Sequence, residues 1–253
     1  MPKFADAIEM ETHSQGSTFA FSAAKIEHLG ATEYTLGTVV VDVSGSVHPF
    51  AAQIEAALKE TVRACRRNPR ADNMMLRVVL FDDQVREMHG FKPLPDCNDA
   101  DYAGCIQPGG STALYDATYT AVKAATEYGK QLAANQYTAN AALFVITDGQ
   151  DNASKTSRQM VARELQAAKT SEALESIMPV LIGVGYGAGG SAGATGLDHY
   201  LQMFKDEAGF QQYVSVDAAN DKALAKLGGF ISQSLSSQSQ SLGSGGASQS
   251  IVF

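Results

Sequence analysis

Short, almost wholly apolar runs along this chain alternate with longer stretches in which apolar residues recur every three or four positions. Leu36 to Asp42 is nearly all apolar and β-branched up to its closing carboxylate, as expected for a strand buried on both faces. Pro49 suits the first turn of a helix, and Phe50, Ile54, Leu58, Val62 and Cys65 then repeat at helical spacing to about Arg67. Met74 to Phe81 predicts a second strand, Asp82-Asp83 a turn, and Val85 to His89 a strand that pairs back as a hairpin. Phe91 to Gln107 holds Pro93, Pro95 and scattered aspartates and reads as a loop. A second helix is predicted from near Thr112 through Leu114, Ala117, Ala121 and Ala125 to about Ala134, followed by a central strand from Ala141 to Thr147. A helix from about Thr156 to Leu174, a strand from Ile177 to Val184, a helix from Leu197 to Glu207 and a last strand from Gln212 to Val216 follow. The closing helix begins near Ala218 and carries Leu224, Leu227, Ile231 and Leu235 on one face.

Strands alternating with helices predict an α/β fold: a doubly wound, mainly parallel sheet with helices on both faces and one antiparallel edge hairpin strand. Residues 1–35 read as an N-terminal arm in which Phe19-Ala20-Phe21 is a short edge strand, residues 36–235 as the domain, and residues 236–253 as a C-terminal tail rich in serine, glutamine and glycine. Low apolar content predicts disorder from Ser232 to Ser250. The apolar Ile251-Val252-Phe253 beyond it reads either as a chain end without a role or as a docking tip for a partner's sheet edge or groove, or for self-assembly. On this reading, cutting after about Gln238 leaves the fold intact.

Composition narrows the function classes. The 253 residues are enough for one domain with appendages, and a formal net charge of −8 argues against a general nucleic-acid binder. No stretch reaches the ~18 apolar residues of a membrane span. The beginning Met1-Pro2-Lys3-Phe4-Ala5-Asp6 has no apolar signal core, and the three cysteines, Cys65, Cys97 and Cys105, form no metal-type cluster. Both observations predict a cytoplasmic protein.

The candidate chemistry lies in three pieces: Asp42-Val43-Ser44-Gly45-Ser46, Gly109-Gly110-Ser111-Thr112-Ala113-Leu114, and Leu143 to Gly149 with Thr147-Asp148-Gly149 at its end. Each falls at the end of a predicted strand or the start of a predicted helix. In an open α/β sheet that is where ligands bind. Asp42, Ser44, Ser46, Thr112 and Asp148 offer two carboxylates and three hydroxyls, hard oxygen donors that suit Mg²⁺, Mn²⁺ or Ca²⁺ rather than zinc. Alternation puts Asp42, Ser44 and Ser46 on one side of an extended segment, and Gly45 permits a tight turn.

This pattern, D-x-S-x-S followed by T and then D, resembles the metal-ion-dependent adhesion site of von Willebrand factor type A domains, over about residues 36 to 235. The resemblance implies that Asp42, Ser44, Ser46, Thr112 and Asp148 hold Mg²⁺. In that family the hydroxyls bind the metal directly or nearly so, and the aspartates act mostly through water. An ion with neutral ligands stays electron-poor and takes a carboxylate from a partner. The implied function is a non-enzymatic, Mg²⁺-dependent protein-interaction module whose partner supplies Asp or Glu. The chain looks like the stand-alone intracellular bacterial and phage members, including those associated with tellurite resistance and with MoxR-type AAA+ ATPases. The alternative is a structural subunit of a larger cellular or phage assembly, held by arm and tail, with the metal only stabilising.

Other signals are weaker. Gly149-Gln150-Asp151-Asn152-Ala153-Ser154-Lys155-Thr156 nearly matches a phosphate loop, but serine stands at the second glycine and two aspartates lie close by. The Asp42 to Ser46 run lacks the glycine before serine of a nucleophile elbow. His48 reads as a surface residue at a helix start, Asp82 and Asp83 as a turn, and the glycine-dense segment 183–196 as a mobile lip beside the site.

Overall fold

The computed structural model describes residues 9–15, 19–185, 192–217, 221–245 and 251–253. Eight strands form one sheet: β1 (Met10–Gln15), β2 (Phe19–Ala24), β3 (Glu33–Asp42), β4 (Met74–Phe81), β5 (Val85–Pro93), β6 (Thr138–Thr147), β7 (Ile177–Gly185) and β8 (Gln212–Asp217). Their spatial order is β1-β2-β5-β4-β3-β6-β7-β8. Pairing is parallel across β4, β3, β6, β7 and β8, and antiparallel within β4–β5 and β1–β2. Among the described residues five α-helices accompany them: α1 (Ala51–Arg66), α2 (Leu114–Ala134), α3 (Arg158–Thr170), α4 (Ala192–Ala208) and α5 (Asp221–Ser244).

Alternation along the strands sends successive side chains to opposite faces, and each face is closed by its own helices. On one, Val39 and Val41 of β3 pack with Ile54, Leu58 and Val62 of α1 and with Leu227, Ile231 and Leu235 of α5. On the other, Leu36 and Val40 pack with Ala117, Ala121 and Val122 of α2, Val161 and Leu165 of α3, and Leu201 and Phe204 of α4. This is the doubly wound architecture expected. Helix α3 starts at Arg158 because the Ser157 hydroxyl accepts the Met160 amide, the usual role of serine at that position.

The arm differs from its sequence reading. It contributes two strands, and the sheet continues beyond the β4–β5 hairpin through β2 to β1. Strand β5 runs on to Pro93 into the segment read as a loop, with two short 3-10 turns following. Gly90 makes the junction: a Cβ there would lie 1.7 Å from the Ser22 carbonyl oxygen. Around it, Tyr128 of α2 donates its hydroxyl to the Ala24 carbonyl (2.8 Å) and stacks on Phe91 at 5.3 Å. Buried Arg77 donates to Glu87 (2.7 Å), which accepts from the Ser22 amide (2.8 Å). These partners come from β2, β4, β5 and α2, far apart in sequence, which is why local periodicity could not announce them.

The tail differs too. Helix α5 continues past residue 235 to Ser244, through residues read as disordered. Its polar side chains face inward: Ser234, Gln238 and Ser239 are buried. Asn140 at the start of β6 donates to the Gln238 carbonyl (2.8 Å) and accepts from Thr35 (2.8 Å), and the Arg70 guanidinium donates to Ser239 (2.7 Å). Partners for Gln238 and Ser239 offset the cost of this burial where the sequence showed only polarity; the Ser234 hydroxyl has no hydrogen-bond partner among the described residues. A cut after Gln238 would remove the buried Ser239 and its bond to Arg70. Leu227, Ile231 and Leu235 are buried as predicted; the Leu224 side chain, residues 246–250 and the centre of the glycine-dense lip lie outside the described residues.

This network sets a stability expectation. Asn140→Leu leaves the Thr35 hydroxyl buried without its partner, at about 1–3 kcal/mol, and removes the tie from β6 to the Gln238 carbonyl, which keeps its bond within α5. Urea denaturation should show a midpoint lowered accordingly, and an unchanged midpoint would mean that α5 does not dock through this contact.

Candidate metal site

Strand order reverses at β3: its first crossover, through α1, leads to β4 on one side, and the later one, through α2, leads to β6 on the other. The loops that follow β3 and β6 lead to helices on opposite faces of the sheet, the place where open α/β sheets form their binding crevice. Asp42 closes β3 and Asp148 follows β6.

Asp42 is 1% exposed. Its Oδ1 accepts the Ser44 amide (2.8 Å) and its Oδ2 accepts the Thr147 hydroxyl (2.5 Å). Burial raises its pKa, against the pull of those hydrogen bonds. Asp42 is thus a buried carboxyl braced across the central strand pair. Ser44 is the last extended residue, and residues Gly45–Phe50 form a 3-10 stretch. Ser44 and Ser46 therefore converge through a tight turn rather than by strand alternation, with their hydroxyls 3.1 Å apart. Gly45 is not at positive φ; its amide donates to the Gly110 carbonyl at 3.2 Å and joins the second loop to the first. Gly110 is the position that must be glycine, since φ is +70° and a Cβ would lie 2.6 Å from Asp83 Oδ1.

Thr112, 4% exposed, is held on both backbone sides by one residue. Its amide donates to Asn152 Oδ1 (2.8 Å), and its carbonyl accepts the Asn152 amide (3.0 Å). A Cβ placed on Gly149 would lie 3.3 Å from Thr112 Oγ1 and 4.0 Å from Ser46 Oγ, so those hydroxyls face the start of the Asp148 loop. Ser46, exposed, donates its hydroxyl to Asp148 Oδ1 at 2.9 Å. The structure thus brings all five predicted residues together. Asn152 and Thr147, which position them, were not singled out in the sequence; Thr147 at the end of an alternating strand was the one readable signal.

Burial first, and the negative charge of Asp42 second, push the Asp148 carboxyl up to about 6. Two carboxylates held close in a partly desolvated crevice favour either a proton or a cation. Among the described residues no three His, Cys, Asp or Glu side chains are grouped to hold a metal, so any ion here must rest on hydroxyls as well. The set has neither nitrogen nor sulfur. It fits a small hard divalent cation, with Ser46 on the open side.

The phosphate-loop resemblance has a structural explanation. Ser154 Oγ accepts the Tyr115 and Asp116 amides (3.1 and 3.0 Å), and the Asp116 carboxylate accepts the Lys155 and Thr156 amides (3.0 and 2.7 Å). The loop caps α2, and two of the amides that would cradle phosphate are engaged. Farther along, the Asp151 amide donates to the Tyr200 hydroxyl of α4 (3.0 Å). Arg158 lies 5.2 Å from that ring and donates to Tyr115 (2.8 Å). His48 is exposed, as expected.

No family model and no curated protein sequence matches the chain. Solved structures do. A D319A mutant of the PilB minor pilin from Streptococcus sanguinis matches with TM-score 0.59 at 14% identity, over 89% of this chain and 66% of that one. Proximal thread matrix protein 1 of the mussel byssus matches with TM-score 0.52 at 18% identity, over 81% of this chain and 47% of that one, and it has also been solved with a zinc-occupied MIDAS motif. The pilus adhesin SpaC of Lactobacillus rhamnosus GG matches with TM-score 0.56 at 9% identity, over 90% of this chain and 34% of that one. The fold is von Willebrand type A-like. At these identities the likeness concerns the fold alone, and the chain spans about two thirds or less of each of these proteins.

The raised Asp148 carboxyl gives a pH expectation for metal-free protein. A carboxyl whose folded pKa exceeds its unfolded value contributes stability that is fully present below about pH 4 and is lost as pH rises through about 6. In EDTA, the melting temperature should therefore fall between pH 4 and pH 6.5 more steeply for wild type than for Asp148→Asn. Parallel curves for the two proteins would contradict the strained carboxylate pair.

Proposed function

We propose that the chain is a non-enzymatic, metal-dependent protein-interaction module. The observation that carries this reading is the convergence of Ser44, Ser46, Thr112, Asp42 and Asp148 at the β3–β6 crevice. Ser44, Ser46 and Thr112 would hold Mg²⁺, with Mn²⁺ or Ca²⁺ as substitutes. Asp42 and Asp148 would supply the compensating charge, partly through water. A cation on largely neutral ligands adds one chemical capacity, affinity for a further carboxylate. The partner is therefore a protein presenting Asp or Glu. The Ser46 hydroxyl donates to a carboxylate rather than to a histidine or lysine, which supports a binding role rather than catalysis. The fold likeness to a protein solved with a metal in its MIDAS motif supports the same reading. The three free cysteines, two of them buried, suit a reducing compartment such as the cytoplasm. Among the described residues no helix is long and apolar enough to cross a membrane.

The second reading, an assembly subunit in which the metal only stabilises, is favoured by the fold likeness to a minor pilin and a pilus adhesin. The two readings separate on metal dependence. Immobilised protein should retain its partner in Mg²⁺ and release it in EDTA, and Asp148→Ala should retain none in either. Retention that ignores EDTA and survives Asp148→Ala would favour the assembly reading. The same preparation should not turn over ATP; turnover lost on Lys155→Ala but kept on Asp42→Ala would overturn the binding role.

A further inference from the structure

Strand β5 changes face near its middle. Glu87 lies opposite Val79 of β4 and His89 opposite Val78, so the register slips at Met88. Val79 belongs to the cluster under α2 and Val78 to the cluster on the α1/α5 face. The slip therefore sets His89 on the opposite face from Glu87 and beside the segment that follows β5. There both ring nitrogens are engaged. Nδ1 lies 2.9 Å from the Gly90 carbonyl and Nε2 lies 2.7 Å from the Tyr102 hydroxyl. A carbonyl only accepts, so Nδ1 carries the proton and the neutral Nε2 accepts from Tyr102. The two rings meet edge to face at 5.7 Å.

Tyr102 is the inner anchor of residues 94–107. It is 1% exposed and joins Leu94, Cys97 and Ile106 in the core on the α1 side. The segment's own backbone bonds are short-range: the Cys97 amide to Leu94 (3.1 Å), Asp101 to Asn98 (3.0 Å) and Ala103 to Ala100 (3.2 Å). Its polar ties to α1 lie at the surface, from Arg63 to Asp99 (2.7 Å), from Arg66 to Asn98 (3.3 Å) and from the Gly104 amide to Glu55 (2.8 Å). Exposed ties of this kind are screened by solvent and hold little. The bond from Tyr102 to His89 is the deep one.

A second proton would make both ring nitrogens of His89 donors. Tyr102 would then have to turn its own proton toward the Cys97 thiol beside it, which already donates to the Pro93 carbonyl at 3.6 Å. The charged groups around the imidazole are Glu87 and Lys92 on β5, Arg77 on β4, Asp101 beside Tyr102, and Asp96 and Arg66 beside Cys97; β2 carries none. The carboxylates are committed elsewhere: Glu87 to Arg77 and Ser22, Asp101 toward Lys92 at 3.9 Å, and Asp99 to Arg63. Burial is the largest influence on the imidazole and lowers its pKa; the Gly90 carbonyl and Glu87 pull it up, and Lys92 and Arg77 push it further down.

We propose that His89 is an acid-sensitive latch: neutral, it holds Tyr102 and keeps residues 94–107 against the sheet; protonated, it frees them by a local opening. Opening lets water reach the imidazole and returns it to its ordinary pKa of about 6.5. The open form then binds more protons than the closed one. Stability of the closed form is complete above about pH 6.5 and is lost as pH falls below it, with the opening constant rising at most about tenfold per pH unit for one proton. The latch uses no residue of the metal crevice and stands whether or not a metal binds.

The test is amide hydrogen exchange on the full chain, followed by nuclear magnetic resonance and corrected for the intrinsic rate at each pH. Protection of the Cys97, Asp101 and Ala103 amides should be constant above about pH 6.5 and fall below it by up to about tenfold per pH unit. His89→Gln should show no such fall. Asp148→Asn, which removes the carboxyl that titrates at about 6, should keep it. Flat protection in wild type, the same fall in His89→Gln, or its loss in Asp148→Asn overturns the latch. If His89→Gln loses its circular dichroism signature, the imidazole nitrogen shifts of wild type decide: a His89 midpoint below about 6.5 is expected, and one at or above the ordinary value overturns the latch.

Discussion

The hydrogen bond from Thr147 to Asp42 ties the ends of β3 and β6 at the point where the winding of the sheet reverses. The proposed metal site depends on that carboxylate being there. Desolvating a carboxylate is expensive unless its oxygens are engaged, and Asp42 has both engaged, one by Thr147 and one by the Ser44 amide. The cost is met by geometry that simultaneously fixes the first loop. Asp148 then follows: its own burial first, and the Asp42 carboxylate beside it second, disfavour its ionised form. A crevice built this way holds stored electrostatic repulsion that a divalent cation would relieve.

Three loops must meet for that relief to be specific, and each junction has its own device. The amide of Gly45 reaches the Gly110 carbonyl, Asn152 clasps Thr112 from both sides, and Ser46 reaches across to Asp148. The loop from Asp151 to Thr156 has a second task, capping α2 through Ser154 and Asp116. Its Asp151 amide also ties it to Tyr200 on α4. The position of Thr112 is therefore coupled to two helices, α2 and α4.

Much of this was legible in the amino-acid sequence. The β-branched run before Asp42, the helical spacing from Phe50 to Cys65 and the strand ending at Thr147 each carry a periodicity that decides their structure locally. The five oxygen-bearing residues stood out because short motifs sat at predicted strand ends. What could not be read locally was long-range. The arm becomes two strands because Gly90 leaves room for Ser22 and because Arg77, Glu87 and Tyr128 meet it from elsewhere. The serine- and glutamine-rich stretch becomes helix because Asn140 and Arg70 wait for Gln238 and Ser239. Polarity predicts solvent unless the partner is known, and these partners lie about a hundred residues away or more. Gly45 was given a conformational role that its backbone does not require, whereas Gly110, at φ +70°, carries it.

The central claim is that three hydroxyls and two carboxylates at the β3–β6 crevice form a cation site. Titration of metal-free protein with Mn²⁺, followed by electron paramagnetic resonance, tests it most directly, because free Mn²⁺ is counted without reference to any partner. The account predicts one site that Mg²⁺ displaces and that is lost in both Thr112→Ala and Asp148→Ala, with circular dichroism unchanged. Equal Mn²⁺ uptake by wild type and both variants would contradict it.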